Sequence, residues 1–258
     1  MVQIGLASLV LFAATAQGPA ARAVVTTARQ DYLADKLTQT INFDGFDDPK
    51  MTLQDALEYL MDRYDLAFEI DRAAFAKFDV KNAAQFEIAR EPIEKARGVR
   101  LKHVLNKIVA RLPEAAEPTF ILQGDAILVT TRKAASKRIL GDENRLLPPL
   151  VHFKFENQPL KLALDDVAGL TDTAVVLDDS IAEKAGETVS ARFINTPVDS
   201  AVRVLASRYN FTSLRIDGVI YVTTREKVAK LREDMEKEGN KEAPRRMPLA
   251  DEQLKKER

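Results

Sequence analysis

The chain carries an internal repeat, and this repeat limits its possible folds more than any other feature does. The tetrapeptide VTTR occurs at residues 129–132 and again at 222–225, each time after an apolar run. Such a repeat indicates either a duplicated binding site or a duplicated fold. The sequence around each copy distinguishes these two alternatives.

Two further blocks precede each VTTR in the same order. Residues 53–71 are similar to residues 160–178 without a gap, and residues 98–112 are similar to residues 195–209. In both blocks the apolar residues fall at matching positions with helical spacing. Since order, spacing and residue type agree over three blocks, we interpret the chain as a tandem duplication of one small unit.

Each copy has a readable order of elements. In the second copy, alternating residues 151–157 predict a strand that Gln158 and Pro159 end, and helices are predicted from Leu160 and over 198–209. Its other predicted strands are 174–178, 188–194, 213–216 and 219–223, the last two joined by a turn at Asp217-Gly218. The order is therefore β-α-β-β-α-β-β, which predicts two tandem α+β modules with helices packed on short sheets.

These patterns divide the chain into six segments. We predict a signal peptide at 1–23, a helix or linker at 24–39, a first module at 40–132 with an insertion at about 74–90, a linker at 133–149, a second module at 150–225 and a charged tail at 226–258. The tail is predicted to be helical up to about Gly239 and disordered beyond it.

The first residues are typical of an exported protein. An uncharged apolar run extends from Ile4 to Ala16, and a small-x-small pattern follows that ends at Ala23. A second pattern of this kind ends at Ala16. We expect cleavage after Ala23, a mature chain that begins near Val24, and a location in the periplasm or otherwise outside the cytoplasm. No basic residue precedes the apolar run, which leaves two alternatives open: a misplaced start codon and a buried N-terminal helix.

Composition excludes several classes of function. Lys and Arg number 38 against 39 Asp and Glu, so the net charge of −1 gives no basic footprint for a nucleic acid. Cysteine is absent, which excludes disulfides, thiolate metal sites and cysteine nucleophiles. The mature chain has no apolar run long enough to span a membrane.

Acidic pairs are the candidates for acid–base chemistry. They are Asp47-Asp48, Asp165-Asp166 and Asp178-Asp179. Paired carboxylates catalyse glycoside hydrolysis only when held at defined separations, whereas Asp165 and Asp166 are neighbours on a predicted helix. Asp178 and Asp179 precede Ser180 at a place typical of a solvated turn or an N-cap. We therefore predict no catalytic residues.

Metal and cofactor sites are also not predicted. Residues 42–48 are faintly similar to a calcium loop, but Gly45 is at the fourth place rather than the sixth. The two histidines, His103 and His152, have no third partner in the sequence, and we interpret both as structural or solvent-facing. Several aromatic residues fall at core spacing and are interpreted as packing residues: Phe43, Phe46, Tyr59, Phe68, Phe153, Tyr209 and Phe211.

The context of VTTR favours a duplicated fold over a duplicated binding site. Each copy of VTTR closes a predicted strand and precedes a predicted helix. The spacing from Thr223 to Glu226 fits a capping box, in which hydroxyl and carboxylate groups bind free backbone N–H groups at a helix start.

The second copy resembles the short N-terminal domain shared by secretins and signal-transducing TonB-dependent receptors. The resemblance is carried by QPLKLALDDVAGLTDTAVVLDDSIA and ETVSARFINTPVDSAVRVLASRYNFTSLRIDGVIYVT. It covers residues 150–225 well and residues 40–132 less closely. It implies a periplasmic α+β interaction module with no catalytic residues.

Repeat, composition and resemblance together predict an exported, non-catalytic scaffold that binds another protein and is a monomer in isolation. Two alternatives remain open: an accessory subunit of a secretion or pilus apparatus, and an enzyme whose site lies between the two modules.

Overall fold

The computed structural model describes residues 19–242, with the side chains of residues 28–183 and 185–237. Residues 1–18 of the predicted signal peptide and residues 243–258 of the predicted tail lie outside this range. Helix α1 (Pro19–Thr38) passes through the predicted cleavage site at Ala23. Its buried residues Leu33, Ala34 and Leu37 pack into the core of the first module. None of the helices described is long and apolar enough to cross a membrane.

The first module follows α1. Its elements are β1 (Thr40–Phe43), α2 (Leu53–Tyr64), β2 (Phe68–Ile70), α3 (Arg72–Ala76), β3 (Ala96–Arg100), α4 (Leu101–Val109), β4 (Pro118–Gln123), β5 (Ala126–Thr131) and α5 (Arg132–Leu140). β1 pairs with β3 in an antiparallel sheet, and β5 lies between β2, to which it is parallel, and β4, to which it is antiparallel.

The second module repeats this order. Its elements are β6 (Leu150–Pro159), α6 (Leu160–Thr171), β7 (Val175–Leu177), β8 (Thr188–Pro197), α7 (Val198–Ser207), β9 (Phe211–Ile216), β10 (Val219–Thr224) and α8 (Arg225–Glu242). β6 pairs antiparallel with β8, while β10 lies between parallel β7 and antiparallel β9. The fold is therefore α+β, as predicted, with the same pairing in both modules.

Each module has its own hydrophobic core. In α6 the residues at helical spacing that the sequence placed inward, Leu160, Ala163, Leu164 and Val167, are all buried. They pack with the apolar faces of α7 and β8 in the core of the second module. A smaller cluster joins Ile121 and Leu128 to α5 and to the chain between the modules.

The predicted end of β6 at Gln158 and Pro159 is wrong. The strand continues to Pro159 through a bulge at Asn157, whose φ is +49° and whose N–H donates to Ser190 Oγ at 2.9 Å. Leu160 N–H donates to Glu187 O at 2.9 Å across the ladder. The adjacent Pro159 nitrogen therefore faces away from β8, and its missing N–H removes no ladder bond.

The structure defines the insertion, for which the sequence predicts no fold, and lengthens the predicted helix of the tail. The insertion at about 74–90 contains most of α3 and a short 3₁₀ turn at Ala83–Gln85. An antiparallel bridge between Thr52 and Glu87 ties it to the start of α2. The helix of the tail, α8, continues past Gly239 to Glu242.

Both copies of VTTR are strand-to-helix junctions, as predicted. The predicted cap at Thr223 is wrong by one residue, because Thr224 Oγ accepts from Lys227 N–H at 3.3 Å. Thr131 Oγ accepts from Ala134 N–H at 3.3 Å at the equivalent place in the first module. The second threonine of VTTR is therefore the cap, and the first is available for another contact.

Candidate functional site

The first threonine of each VTTR binds a carboxylate at the end of the parallel strand. Asp71 follows β2 and Asp178 follows β7, and parallel pairing brings each beside its threonine. Thr130 Oγ donates to Asp71 Oδ2 at 2.9 Å, and Thr223 Oγ donates to Asp178 Oδ2 at 2.6 Å. We call these the two Asp–Thr clusters; both threonines are fully buried.

Each Asp–Thr cluster is completed by a cation. In the first module the cation is Arg138, whose Nη1 donates to Asp71 Oδ2 at 2.7 Å. In the second module it is Lys227, whose Nζ lies 2.6 Å from Asp178 Oδ2. Tyr221 also donates its hydroxyl to Asp178 Oδ2 at 2.7 Å. Each cluster connects the end of one strand, the central strand of the sheet and the helix that follows this central strand. We therefore interpret both clusters as stabilising the fold.

Both carboxylates ionise more readily than an ordinary aspartate. Burial opposes ionisation of Asp71, but hydrogen bonds from Arg138, the Ala74 N–H and Thr130 outweigh it and hold the pKa of Asp71 below its ordinary value. Hydrogen bonds from Lys227, Thr223 and Tyr221 hold the pKa of Asp178 well below its ordinary value. A carboxylate that stays ionised is a poor general acid, so this chemistry does not favour the acid–base role.

His152 accepts a hydrogen bond at a strand bulge. In the second module, Asn195 N–H donates to His152 Nδ1 at 3.2 Å, and Asn195 has a φ of +48°. In the first module, Gly98 N–H donates to Asn42 Oδ1 at 3.1 Å at the equivalent bulge. His152 therefore does what an asparagine does in the other copy. Its structural role follows from this pairing.

Burial keeps this histidine neutral. Burial and the nearby Lys102 ammonium lower the pKa of His152 to about 3. The unfolded chain binds this proton below its ordinary pKa of 6.5, and the folded chain does not bind it until near pH 3. The folded state is therefore destabilised progressively as the pH falls below about 6.5.

We expect the His152→Asn variant to lose this part of the pH dependence. Asparagine can accept the same N–H, as Asn42 does, but it does not titrate. Between pH 6.5 and 4.5 the original protein should lose about 2–3 kcal/mol of unfolding free energy at this site, and the variant should keep it. Urea denaturation at several pH values measures this. Equal acid slopes in both proteins would contradict the assignment.

The two modules meet at the carboxyl end of α6. Lys102 Nζ donates to Leu170 O at 2.7 Å, and Arg100 Nη1 donates to Gly169 O at 2.7 Å. Cations at a helix carboxyl end satisfy free carbonyl groups and oppose the helix dipole. These two basic residues of the first module therefore fix the orientation of α6 in the second.

A cleft of about 260 Å³ lies at this junction. Lys102, Arg132, His152 and Asp172 are among the residues that line it. Burial is the main cause that lowers the pKa of Lys102 to about 8; the charge of Asp172 opposes this shift and the charge of Arg100 adds to it. Polar groups converge here, but Lys102 and His152 both hold backbone groups of the fold.

A second contact between the modules covers a strand edge. Leu122 N–H, in β4, donates to Asn195 Oδ1 at 2.9 Å, and Asn195 Nδ2 donates to Leu122 O at 2.6 Å. The side-chain amide of Asn195 thus occupies the outer edge of β4 in the way that a neighbouring strand would. The first module uses this edge to bind the second.

The sequence-predicted candidate residues do not converge. Asp165 pairs with Lys161 at 3.0 Å on the exposed face of α6, and Asp166 accepts from Gln158 Nε2 at 2.6 Å. Asp178 is buried and caps the next turn by accepting from Ser180 N–H, which confirms the N-cap alternative rather than the solvated turn. Asp179 is exposed.

Two acidic side chains of the segment 42–48 also make contacts within the first module. Asp44 lies 3.3 Å from Arg63 and 3.7 Å from Arg97, and Asp48 Oδ1 accepts from Lys50 N–H at 2.9 Å. Within the described residues no group of three acidic or histidine side chains could hold a metal ion. His103 is partly buried on α4.

Sequence reasoning missed Lys102, Asn195 and the first threonine of each VTTR. One signal was present for the threonines, because the aligned blocks end at Asp71 and Asp178 and both copies keep the Thr-Thr pair. No local pattern marks Lys102 or Asn195, since their partners belong to the other module.

The chain matches none of the known protein families that were compared with it. No curated protein shows significant similarity to it.

Proposed function

We propose that this chain is an exported, non-catalytic scaffold of two secretin-type modules that binds another protein through the outer edge of β9. The observation that carries the proposal is the difference between two equivalent edges. Asn195 occupies the outer edge of β4, whereas no hydrogen bond from the described residues reaches the outer edge of β9. An unpaired edge can accept a strand from a partner.

The register shows which main-chain groups of β9 face away from β10. Ile216 pairs with Val219 across a two-residue turn, whose residues Asp217 and Gly218 both have positive φ. Residues in an antiparallel pair alternate between facing the partner strand and facing away from it. The N–H and C=O groups of Phe211, Ser213 and Arg215 therefore point away from β10.

The first module supports this assignment of direction. Leu122 pairs with Ile127 next to the turn of β4 and β5, as Arg215 pairs with Ile220 next to the turn of β9 and β10. Leu122 uses both of its main-chain groups to bind Asn195. Arg215 is the equivalent residue of β9. Its main-chain N–H and C=O groups are therefore correctly oriented to bind an added segment.

The contacts of three polar residues support a non-catalytic function, because these contacts stabilise the fold. Asp71, Asp178 and His152 each bind backbone or hydroxyl groups that the fold would otherwise leave without partners. The resemblance to secretin-type domains also favours an interaction module.

Export is supported by the position of the first core residues. Leu33, the first of them among the described side chains of α1, lies after the predicted cleavage site at Ala23, so cleavage would remove none of the core residues that the structure describes. Amino-terminal sequencing of the protein from an extracytoplasmic fraction should give a start near Val24. An intact Met1 in a cytosolic pool would contradict export.

Substitution of Ser213 tests the binding edge. Ser213→Pro removes the outward N–H of β9, and Ser213→Ala keeps it while removing the hydroxyl. A partner that co-purifies from the native host with the original protein and with Ser213→Ala, but not with a folded Ser213→Pro variant, would support the proposal. Equal recovery with all three would contradict it.

Light scattering tests whether the protein is a monomer, as expected. A stable dimer that is lost in Ser213→Pro would show that the partner is a second copy of the chain.

The identity of the partner decides whether the chain is an accessory subunit of a secretion or pilus apparatus.

Catalysis between the modules is the second candidate function, and the lowered pKa of Lys102 in the cleft favours it. Turnover of a hydrolase substrate that is lost in Lys102→Gln, with the fold intact, would replace the scaffold proposal.

A further inference from the structure

A surface pocket in the first module differs from the same region of the second in a way that points to a ligand. The pocket has a volume of about 430 Å³ and lies between α3, the chain after it and one face of α5. We call it the basic pocket, since Lys77, Lys133, Lys137 and Arg138 line it together with Phe78. Its volume is within the range of small-molecule sites.

In the second module a lysine side chain lies in the equivalent position beside the Asp–Thr cluster. The alignment of VTTRKA with VTTREK places Ala134 opposite Lys227 and Lys133 opposite Glu226. Lys227 Nζ lies 2.6 Å from Asp178 Oδ2, so the lysine side chain occupies part of the space beside the Asp–Thr cluster. In the first module Ala134 leaves that space open, because the cation of Asp71 comes instead from Arg138, one helical turn further on.

The insertion builds one wall of the basic pocket. Phe78 comes from this insertion, and the Lys133 ammonium lies 5.7 Å from the centre of its ring. Ala73, Ala74 and Ala134 complete an apolar lining. A ligand here would therefore contact an aromatic ring and methyl groups as well as ammonium groups.

The charge of the pocket is not balanced by the residues around it. Arg138 pairs with Asp71, and Lys137 lies 3.9 Å from Glu143. Within the described part of the chain, Lys77 and Lys133 have no carboxylate within salt-bridge distance, so they would attract an anion.

We propose that the basic pocket binds a small organic anion with a flat apolar body, such as an aromatic carboxylate. The ring of the ligand packs on the alanines and Phe78, and its carboxylate faces Lys77 and Lys133. The site is independent of the β9 edge, which belongs to the other module.

Titration of the full chain with benzoate, followed by nuclear magnetic resonance, tests the proposal. Benzoate at millimolar concentration should shift the backbone signals of residues 73–78 and 131–138. Acetate carries the charge without the ring and inorganic phosphate carries it without an apolar body, so each should bind at least about tenfold more weakly. Equal shifts with all three anions would show nonspecific attraction and overturn the proposal.

Two variants copy residues of the second module into the first. Ala134→Lys supplies the side chain that occupies part of the space there, and Lys133→Glu supplies the charge found there; each should weaken benzoate binding about tenfold or more. Lys230→Glu is the matched control, since it makes an equal charge change on α8, outside the pocket. Should Ala134→Lys fail to fold, Lys133→Glu decides. Unchanged binding in a folded Lys133→Glu, or no shifts at all, would overturn the proposal.

Discussion

Replacing Leu164 by alanine is expected to lower the free energy of unfolding by about 2–5 kcal/mol. Leu164 is only 2% exposed and packs in the core of the second module. Removal of its side chain leaves a cavity that the neighbours on α7 and β8 can fill only in part. Urea denaturation at neutral pH measures the loss.

The same helix supplies the control. Leu162 is 51% exposed on the opposite face of α6, so Leu162→Ala should change the free energy of unfolding by about 0.5 kcal/mol or less. A loss below about 0.5 kcal/mol for Leu164→Ala, or equal losses in both variants, would mean that α6 presents a different face to the core.

Replacing Asp178 by alanine is expected to cost about 2–4 kcal/mol. The carboxylate accepts from Thr223, Tyr221 and the Ser180 N–H. Without it, the fully buried Thr223 hydroxyl has no acceptor, and a buried unpaired group carries the whole penalty of its lost hydration. Asp178→Asn keeps one acceptor oxygen and should be less destabilised.

The adjacent carboxylate is a matched control for this prediction. Asp179 is exposed, so Asp179→Ala should stay within about 0.5 kcal/mol of the original protein. Acid denaturation gives a second measurement. Because the pKa of Asp178 is lowered in the fold, its contribution is present above the ordinary value of 3.8 and is lost as the pH falls below it. Equal stability of the Asp178→Ala and Asp179→Ala variants would contradict the role of the Asp–Thr cluster.

The helices and hairpins of the second module could be predicted because their signals are local. α6 begins at Leu160, as its apolar spacing indicates, and Asp217-Gly218 forms the turn between β9 and β10. Each of these signals depends on residues within a few positions of one another. The end of β6 could not be predicted in this way, since whether Pro159 breaks a strand depends on which side of the ladder its nitrogen faces.

The candidate sites were harder to predict from the sequence than the helices and hairpins. The repeat aligned Asp71 with Asp178, but nothing local indicates that each would lie beside a buried threonine. That contact requires β2 and β7 to pair in parallel with strands much later in the chain. The basic pocket likewise depends on an insertion whose fold the sequence patterns did not resolve.

Three features follow from the amino-acid sequence alone: the duplication, the α+β order of elements and the position of both VTTR junctions. These features are repeated patterns and short-range preferences, and a chain carries them before it folds. Three other features depend on tertiary packing: His152 stays neutral, Asn195 covers the edge of β4, and a pocket lies beside Asp71 in the first module where Lys227 lies beside Asp178 in the second. Burial and strand-edge pairing depend on distances between residues that are remote in the sequence, so they exist only once the modules have packed together.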